Sequence, residues 1–435
     1  MMVAGAGGAA ALAVTAALLT AGTPPATASV ASAAVSAGGT GDCDSLATCY
    51  SPRDIRVAYG IQPLADRGID GRGQTVVIPA LAEPRLSPPV VSNIRQDLAA
   101  FDKLFHLPAA NLRVSTDFAP GSRRWLAMGE EVLDTEMVHA IAPAAALRVV
   151  LFTGSELSTR KGLITALTDT VRYGSTHGDI ISISAGSAEH CFTTAEAVQL
   201  HAALAAAAVR HVTVTAGTGD IGPISEPCVV SPPSFTPVRG VTLPASDPLV
   251  LATGGTSLTA SHKTGAYISE TTWDLPYGDV GSTFQATGGG FSRLYARPAY
   301  QDGLPGAGPA RGVPDVSADA SGHTGMALTI SLGGGKTMIR NSGGTSATAP
   351  FWAGLIALAN QYAGHDLGFV NPSLYAIART ACYHAAFHDV TTGTNTVKFP
   401  PKTYRGYQAA PGWDPVTGLG SPDAAILVPL LAHGE

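Results

Sequence analysis

Apolar runs of two kinds alternate along the chain. Short runs rich in β-branched residues predict buried strands at 74–81, 146–154, 178–186 and 212–217. Longer runs predict helices at 127–141, 193–211 and 346–363. Strands and helices that alternate in this way indicate βαβ units. We therefore expect an α/β fold, with a mostly parallel central sheet covered by helices on both faces.

Composition narrows the possible partners. Only 13% of the 435 residues are charged, and the formal net charge is −6. Because no basic patch is present, we expect no nucleic-acid partner. The sequence contains no internal repeat and no linker that clearly divides it after residue 48. A single domain over 49–435 is therefore expected.

The N-terminal segment differs in composition from the rest. Residues 1–41 are small and apolar types with some Ser and Thr, and residues 26–28 (ATA) offer an A-x-A cleavage site. We predict a signal peptide at 1–28, a low-complexity linker at 29–48, and a secreted protein. No Lys or Arg precedes Arg53, so a low-complexity tail without an export function is the alternative. Ala and Gly make the run weakly hydrophobic, and no stable membrane association is expected.

Five cysteines occur without a C-x-x-C pair. In a secreted chain, Cys43–Cys49 and Cys191–Cys228 are plausible disulfides, which leaves Cys382 over. The spacing alone does not fix this connectivity.

The tetrapeptide GGTS occurs twice and offers two candidate nucleophiles. Ser346 opens a predicted helix directly after glycines, so its hydroxyl can stand exposed where the helix N-terminus favours negative charge. A simple N-cap is the alternative for this serine. No helical pattern follows Ser257, and we expect it to be a loop or strand-edge residue.

A histidine base is not evident in the sequence. A subtilisin-like enzyme would need an Asp at the end of its first strand, where this chain has Pro79 and Ala80. The segment THGDI at 176–180 runs into a strand rather than opening a helix. His139 lies on a predicted helix, where a partly buried structural role is the simpler interpretation. These observations disfavour a neutral subtilisin-like peptidase.

Carboxylates provide a better candidate base. In GEEVLDTEMVHAIAP, Glu130 and Asp134 are four residues apart and share one helical face. Like charges at this spacing indicate a shared proton, although a solvated helix face is the common explanation. Asp220 follows a strand in TAGTGDIG, where it is either a turn residue or a protonated acid that donates to an oxyanion.

Several of these segments together resemble the sedolisins, the serine-carboxyl peptidases, over about residues 49–430. The segments are YSPRDIRVAYGI, GEEVLDTEMVHAIAP, VTAGTGDIG, TGGGFSRLYARPAYQ and GGTSATAPFWAGL. The resemblance implies a subtilisin-like fold with Ser346 as nucleophile and Glu130 as its general base. It further implies that Asp134 orients the base and that Asp220 stabilises the oxyanion.

The resemblance also implies the reaction. Glu130 must be ionised to accept the Ser346 proton, whereas Asp220 must keep its own proton. We therefore expect acid-favoured hydrolysis of protein or peptide substrates through an acyl-enzyme. Glu131 and Glu136 would lie on other helix faces as bystanders. A monomeric endopeptidase is expected, with a tripeptidyl-peptidase as the alternative.

Two C-terminal segments, FHDVTTGTN at 387–395 and AAPGWDPVTGLGSP at 409–422, resemble the calcium site of the family. The resemblance implies one structural Ca²⁺, because hard oxygen ligands are the ones that this ion prefers. The implied ligands are the Asp389 and Asp414 carboxylates and the Val390, Ala410 and Gly412 carbonyls. Two turn aspartates beside Gly and Pro are the alternative.

Two features of the sequence depart from the family pattern and bear on its activity. Family precursors usually carry a long N-terminal prodomain, whereas only residues 29–48 separate the predicted cleavage site from the catalytic domain. Ala80 and Ala185 stand where some members extend the proton network with Glu and Trp. These departures would suit a non-catalytic binding protein on the same fold. The complete catalytic set favours the enzyme, because buried like-charged carboxylates are costly to keep without a use.

Overall fold

The computed structural model describes residues 49–82, 94–118, 130–153, 160–224, 228, 237–280, 283–333, 336–399 and 402–434. Its helices are α1 (Pro52–Ala58), α2 (Gln62–Ala65), α3 (Ile94–Phe105), α4 (Glu130–Ile141), α5 (Arg160–His177), α6 (Thr194–Val209), α7 (Thr345–Ala363), α8 (Asn371–Ile377), α9 (Tyr383–Ala386) and α10 (Ala424–His433). Its strands are β1 (Thr75–Ala82), β2 (Asn111–Phe118), β3 (Ala146–Thr153), β4 (Ile180–Ile183), β5 (Ser187–Ala188), β6 (Thr213–Gly217), β7 (Thr242–Leu243), β8 (Leu251–Ala260), β9 (Tyr267–Thr272), β10 (Asp274–Val280), β11 (Thr283–Ala286), β12 (Gly290–Ala296), β13 (Ala310–Val313), β14 (Val316–Asp319), β15 (Ala327–Gly333), β16 (Lys336–Asn341), β17 (Phe387–His388), β18 (Val397–Phe399), β19 (Lys402–Tyr404) and β20 (Ser421–Pro422).

Eight strands form the central sheet. Their order is β14-β8-β6-β4-β1-β3-β2, and β9 pairs with β8 at one side. Neighbours along this order are parallel, while β9 is antiparallel to β8. The carboxyl ends of the parallel strands therefore meet at one edge. The predicted mostly parallel sheet is confirmed.

Helices cover both faces of the sheet. On one face, α3, α4, α7 and α10 contribute to the larger apolar cluster. On the other face, α5 and α6 form a second cluster with the strands. Helix α7 is buried along most of its length, as expected of a helix that is apolar on all sides. Gly354 allows α7 to approach α4, since a Cβ there would lie 2.8 Å from Ile141 Cβ.

Most sequence-based element predictions agree with the structure within two residues. The strand predicted at 178–186 is shorter, because β4 ends at Ile183 and a separate short strand, β5, follows at Ser187–Ala188. The prediction that Ser257 lies in a loop or at a strand edge is wrong, because it lies within β8 and pairs with Thr271 of β9. The helix predicted at 127–141 is described from Glu130 onward.

The predicted Cys191–Cys228 disulfide and the predicted unpaired Cys382 are confirmed by the structure. Cys191 and Cys228 form a disulfide, and Cys382 is free and exposed. Cys43, the predicted partner of Cys49, lies outside the described residues, as do the predicted signal peptide and linker. Among the described helices, none has the length and apolar character needed to span a bilayer.

Candidate active site

The predicted nucleophile lies at the carboxyl edge of the sheet. Strand order reverses beside β1, and in open α/β sheets ligands bind next to the carboxyl ends at such a point. Helix α7 begins there, and Ser346 is its second residue and partly exposed. Gly344 precedes the helix with φ of +80°, and a Cβ at this position would lie 2.6 Å from Asp220 Oδ2. Only glycine suits this turn, which presents the Ser346 hydroxyl at the helix N-terminus.

Helix α4 carries the two predicted carboxylates one turn apart. Both Glu130 oxygens are buried and make no hydrogen bond of ordinary geometry. The Ser346 hydroxyl is nevertheless the hydrogen-bonding group that acts on the Glu130 carboxyl. In known enzymes, contacts between a nucleophile and its base are often this loose before substrate binds and tighten in the reacting complex, which is compatible with the predicted roles.

Burial is the main cause of the pKa shifts of Glu130 and Asp134. It raises the pKa of Glu130 to about 8, with the Ser346 hydroxyl opposing the shift and the charges of Glu131 and Asp220 adding to it. Burial, followed by the charge of Glu130, holds the pKa of Asp134 well above its usual range. Two neighbouring buried carboxyls cannot both ionise cheaply, so the pair retains a proton over a wide pH range.

Ser184 connects Asp134 to the nucleophile segment. Its hydroxyl lies 2.7 Å from Asp134 Oδ1 and 3.2 Å from the Ser346 carbonyl oxygen. A hydroxyl has one proton, so both contacts are satisfied together when Asp134 is protonated and donates to Ser184, which then donates to Ser346. The contacts therefore agree with the raised pKa of Asp134.

Asp220 lies in the turn that follows β6. The Thr345 amide and hydroxyl both donate to Asp220 Oδ1, at 2.7 Å and 2.9 Å. The Thr345 hydroxyl also accepts from the Gly219 amide at 3.0 Å, which ties the turn to the start of α7. Burial raises the pKa of Asp220 above its usual range, and the two bonds from Thr345 oppose this shift. A carboxyl held in this way can keep a proton on its second oxygen and donate it.

The other acidic residues of α4 have separate partners. Glu136 is fully buried and accepts from the Thr329 amide and hydroxyl, at 2.9 Å and 2.7 Å. Glu131 is buried as well. His139 lies 3.0 Å from Asp102 Oδ1 and 3.0 Å from the Pro108 carbonyl oxygen. Its structural role is as predicted, but its burial is complete rather than partial, because α3 and the segment after it cover the ring.

The structure thus brings the four predicted catalytic residues together. Ser346, the Glu130–Asp134 carboxyl pair and Asp220, whose pKa burial raises, are groups that can act as a nucleophile, a base and an oxyanion donor. Sequence reasoning missed Ser184 and Thr345, which position Asp134 and Asp220. The available signals were weak: Ser184 lies inside the segment predicted as a strand at 178–186, and Thr345 precedes the predicted nucleophile in GGTS.

The predicted calcium ligands lie in one loop region. Asp389 Oδ2 accepts from the Gly412 amide at 2.9 Å, whereas its Oδ1 is buried without a hydrogen-bond partner. Asp414 accepts from the Ala410 amide at 3.0 Å and from donors on residues 416 and 417. The orphaned oxygen of Asp389 fits a cation ligand, because a buried carboxylate oxygen is costly to leave unpaired.

The chain is similar in sequence to known proteins. No model of a protein family matches the chain. Kumamolisin from Bacillus sp. (strain MN-32) is 35% identical over 396 residues, covering 86% of this chain and 62% of that protein. Tripeptidyl-peptidase sed4 from Aspergillus fumigatus is 28% identical over 388 residues, covering 75% and 59%. The chain therefore spans about three fifths of the length of these relatives.

A solved structure shows the same architecture. Pseudomonas sedolisin, a serine-carboxyl proteinase complexed with two molecules of pseudo-iodotyrostatin, matches with a TM-score of 0.72 and 27% sequence identity. The match covers 88% of this chain and 97% of that one. The similarity therefore extends over both faces of the sheet and the edge that carries the site.

Proposed function

Because this chain belongs to the sedolisin family of serine-carboxyl peptidases, we propose that it hydrolyses peptide bonds with Ser346 as nucleophile and Glu130 as general base. The observation that carries the proposal is the buried Glu130 carboxyl, on which the Ser346 hydroxyl at the helix N-terminus acts and whose oxygens make no other hydrogen bond within the described residues. A buried acid without a structural partner, placed next to a partly exposed nucleophile, is typical of a catalytic pair.

The first step is acylation. Ser346 Oγ attacks the scissile carbonyl carbon while its proton passes to Glu130, and a tetrahedral intermediate forms. The proton then moves from Glu130 to the leaving amine as the C–N bond breaks, which leaves an ester on Ser346. Water repeats the sequence with the ester, returns the proton through Glu130, and releases the acid product.

Asp134 and Asp220 support these steps in different ways. Asp134 shares a proton with Glu130. The Ser184 hydroxyl contacts both the Asp134 carboxyl and the Ser346 carbonyl oxygen, and so fixes the position of Asp134 relative to the start of α7. Asp220 donates its proton to the developing oxyanion, with Thr345 holding its Oδ1. Ionised Asp220 would repel the oxyanion, so activity is expected to fall when this group loses its proton.

The raised pKa values determine the pH range in which activity is expected. Below the first ionisation of the Glu130–Asp134 pair no base is available, and above the pKa of Asp220 the oxyanion acid is lost. All three pKa values lie above the ordinary carboxyl range of about 4. We therefore expect a bell-shaped profile whose acid and alkaline limbs both lie at higher pH than exposed carboxyls would give, with activity falling above the pKa of Asp220.

The test is a pH–rate profile for an unfolded protein substrate, measured for the natural chain and Ser346→Ala in parallel. Acid-side activity that the substitution abolishes supports the mechanism. Activity that needs Ser346 but is retained in Glu130→Gln would mean that another group is the base. No hydrolysis at any pH by folded, calcium-supplied protein would favour a binding protein on this fold. Product masses distinguish internal cleavage from tripeptide release, which relatives named tripeptidyl-peptidases leave open.

A second proposal concerns calcium. Asp389, Asp414 and the carbonyls of Val390, Ala410 and Gly412 would hold one Ca²⁺, supported by the unpartnered buried oxygen of Asp389. The ion would supply structural cross-linking between the two loops and no step of the reaction. Secretion through the segment at 1–28 stays a prediction, which N-terminal sequencing of exported protein would test.

A further inference from the structure

A cavity of about 220 Å³ opens close to Asp220. Its lining includes Pro223, Gly289 and Gly290 together with two arginines and the Tyr407 ring. Gly290 has φ of +143°, and a Cβ there would lie 3.2 Å from the Tyr407 ring. A side chain at Gly290 would therefore narrow the cavity.

Two guanidinium groups give the cavity a positive charge. Arg239 and Arg293 are exposed, and in the described part of the chain neither side chain forms an ion pair or a hydrogen bond. Arg239 lies over the Tyr407 ring, with 5.3 Å between its Cζ and the ring centroid. The Arg293 amide donates to Glu189 at 2.7 Å, which fixes the backbone below its side chain. Two cations are thus held next to a phenol without a carboxylate partner.

The cavity is adjacent to the proposed oxyanion site. Pro223 lies three residues after Asp220, and three residues span at most about 11 Å. On the other side, the Gly288 amide donates to the Gly219 carbonyl oxygen at 2.7 Å, and a Cβ on Gly288 would lie 2.2 Å from the Thr218 carbonyl oxygen. An extended substrate advances about 3.3 Å per residue, so a span of about 11 Å from Asp220 corresponds to about three substrate residues.

We propose that this cavity is a subsite for a carboxylate of the peptide substrate, held by Arg239 and Arg293 within three residues of the scissile bond. The proposal rests on the peptidase function and adds a substrate class to it. Guanidinium groups match a planar carboxylate geometrically, and charge-assisted hydrogen bonds are stronger than neutral ones. The carboxylate can be a Glu or Asp side chain or the C-terminus of the peptide.

The pH dependence of recognition has an expected sign. A substrate Glu is ionised above about pH 4.3 and neutral below it, so its advantage over Gln should exist at pH 5.5 and shrink at pH 3.5. The protein groups near the arginines are Glu189, bonded to Ser292 and to the Arg293 amide, and His190, whose pKa is lowered by burial and then by Arg293. Protonation of His190 in acid would add positive charge near the arginines and so oppose the expected decrease in the preference for Glu over Gln.

The experiment uses fluorogenic peptides that differ only by Glu or Gln at one position, scanned over three residues on each side of the cleaved bond. A second pair compares a free C-terminal carboxylate with an amide. At pH 5.5 the carboxylate form should have a roughly 3- to 10-fold higher kcat/KM at one position, as two solvent-accessible charge pairs would give. Whether the side chain or the C-terminus gives the advantage identifies the source of the carboxylate.

The variants are Arg239→Gln, Arg293→Gln and their combination. The double variant should reduce the Glu-to-Gln ratio to about 1. The matched control is Arg172→Gln, an exposed arginine on α5 bonded to Asp169, which should keep the ratio of the natural chain. A ratio near 1 in the natural chain at every position, or a ratio unchanged in the double variant, would overturn the subsite.

A binding measurement separates this proposal from the catalytic one. If no peptide is hydrolysed, the proposed function fails, and the same peptides are titrated into Ser346→Ala protein by fluorescence anisotropy. Tighter binding of the carboxylate peptide, lost in the double arginine variant, still supports the subsite. Equal binding of both peptides would overturn it.

Discussion

The Ser184 hydroxyl lies 3.2 Å from the Ser346 carbonyl oxygen. In a regular helix this carbonyl would accept from the amide of residue 350, but Pro350 has no N–H. Ser184 therefore supplies a donor that the helix lacks, and its contact with Asp134 at 2.7 Å couples that replacement to the acid pair.

Ser184→Ala should impair both stability and rate. Loss of the hydroxyl leaves a buried carboxyl without this partner, which costs about 1–3 kcal/mol in the free energy of unfolding. When Asp134 is ionised, the Ser184 hydroxyl can donate to it, and this bond opposes the rise of the Asp134 pKa. Without it the pKa should rise further, and the acid limb of the pH–rate profile should move to higher pH. The control is Ser182→Ala on β4, two residues earlier, whose hydroxyl makes no hydrogen bond within the described residues. Identical profiles for the two variants would exclude the proposed coupling.

Asp220→Asn tests the oxyanion acid. Asn still accepts from Thr345 and can donate from its amide nitrogen, but it cannot lose a proton in the working range. The alkaline limb should therefore flatten while appreciable activity remains. Asp220→Ala removes the donor and should lower kcat by about 10²- to 10³-fold at all pH values. A steep alkaline limb in the Asn variant would assign that limb to another group.

Glu130→Gln should abolish activity and stabilise the fold above acid pH. The pKa of Glu130 is about 8 in the folded chain and near 4.5 when unfolded, so the folded state binds the proton more tightly. The stability from this group is therefore present below about pH 4.5 and is lost as the pH rises through about 8. The gain over the natural chain should reach about 1–3 kcal/mol near pH 8.

Thermal unfolding between pH 4 and pH 8 measures this effect. The surface variant Asp117→Asn, on β2, is the control and should follow the natural chain. A Glu130→Gln curve parallel to that of the natural chain would show that Glu130 ionises as easily in the folded as in the unfolded state.

Calcium removal should lower the melting temperature. An ion that binds only the folded state stabilises it in proportion to the logarithm of its concentration, and saturation at about 100 times Kd contributes about 2.7 kcal/mol. Asp389→Asn should have a lower melting temperature in calcium and lose most of its response to a chelator. Asp117→Asn should keep the full response. Equal melting temperatures with calcium and with chelator, in the natural chain, would refute the site.

The sequence was sufficient for the pattern of elements and for the pairing of Glu130 with Asp134. Both depend on local spacing, since helical periodicity places residues four apart on one face whatever the tertiary context. Alternating apolar runs likewise predicted the parallel sheet, because strands covered on both faces must be apolar on both faces. The four catalytic candidates came from ordered motifs rather than from spacing alone.

Contacts between distant segments were decided only by the tertiary structure. Ser184, Thr345, Arg239 and Arg293 have no distinctive local pattern, and their roles arise when separate loops meet at the sheet edge. Ser257 shows the same limit, because its turn-like sequence lies in β8 where pairing with β9 overrides local preference. The raised pKa values also required the fold, since desolvation depends on what covers a carboxyl rather than on its neighbours in the chain.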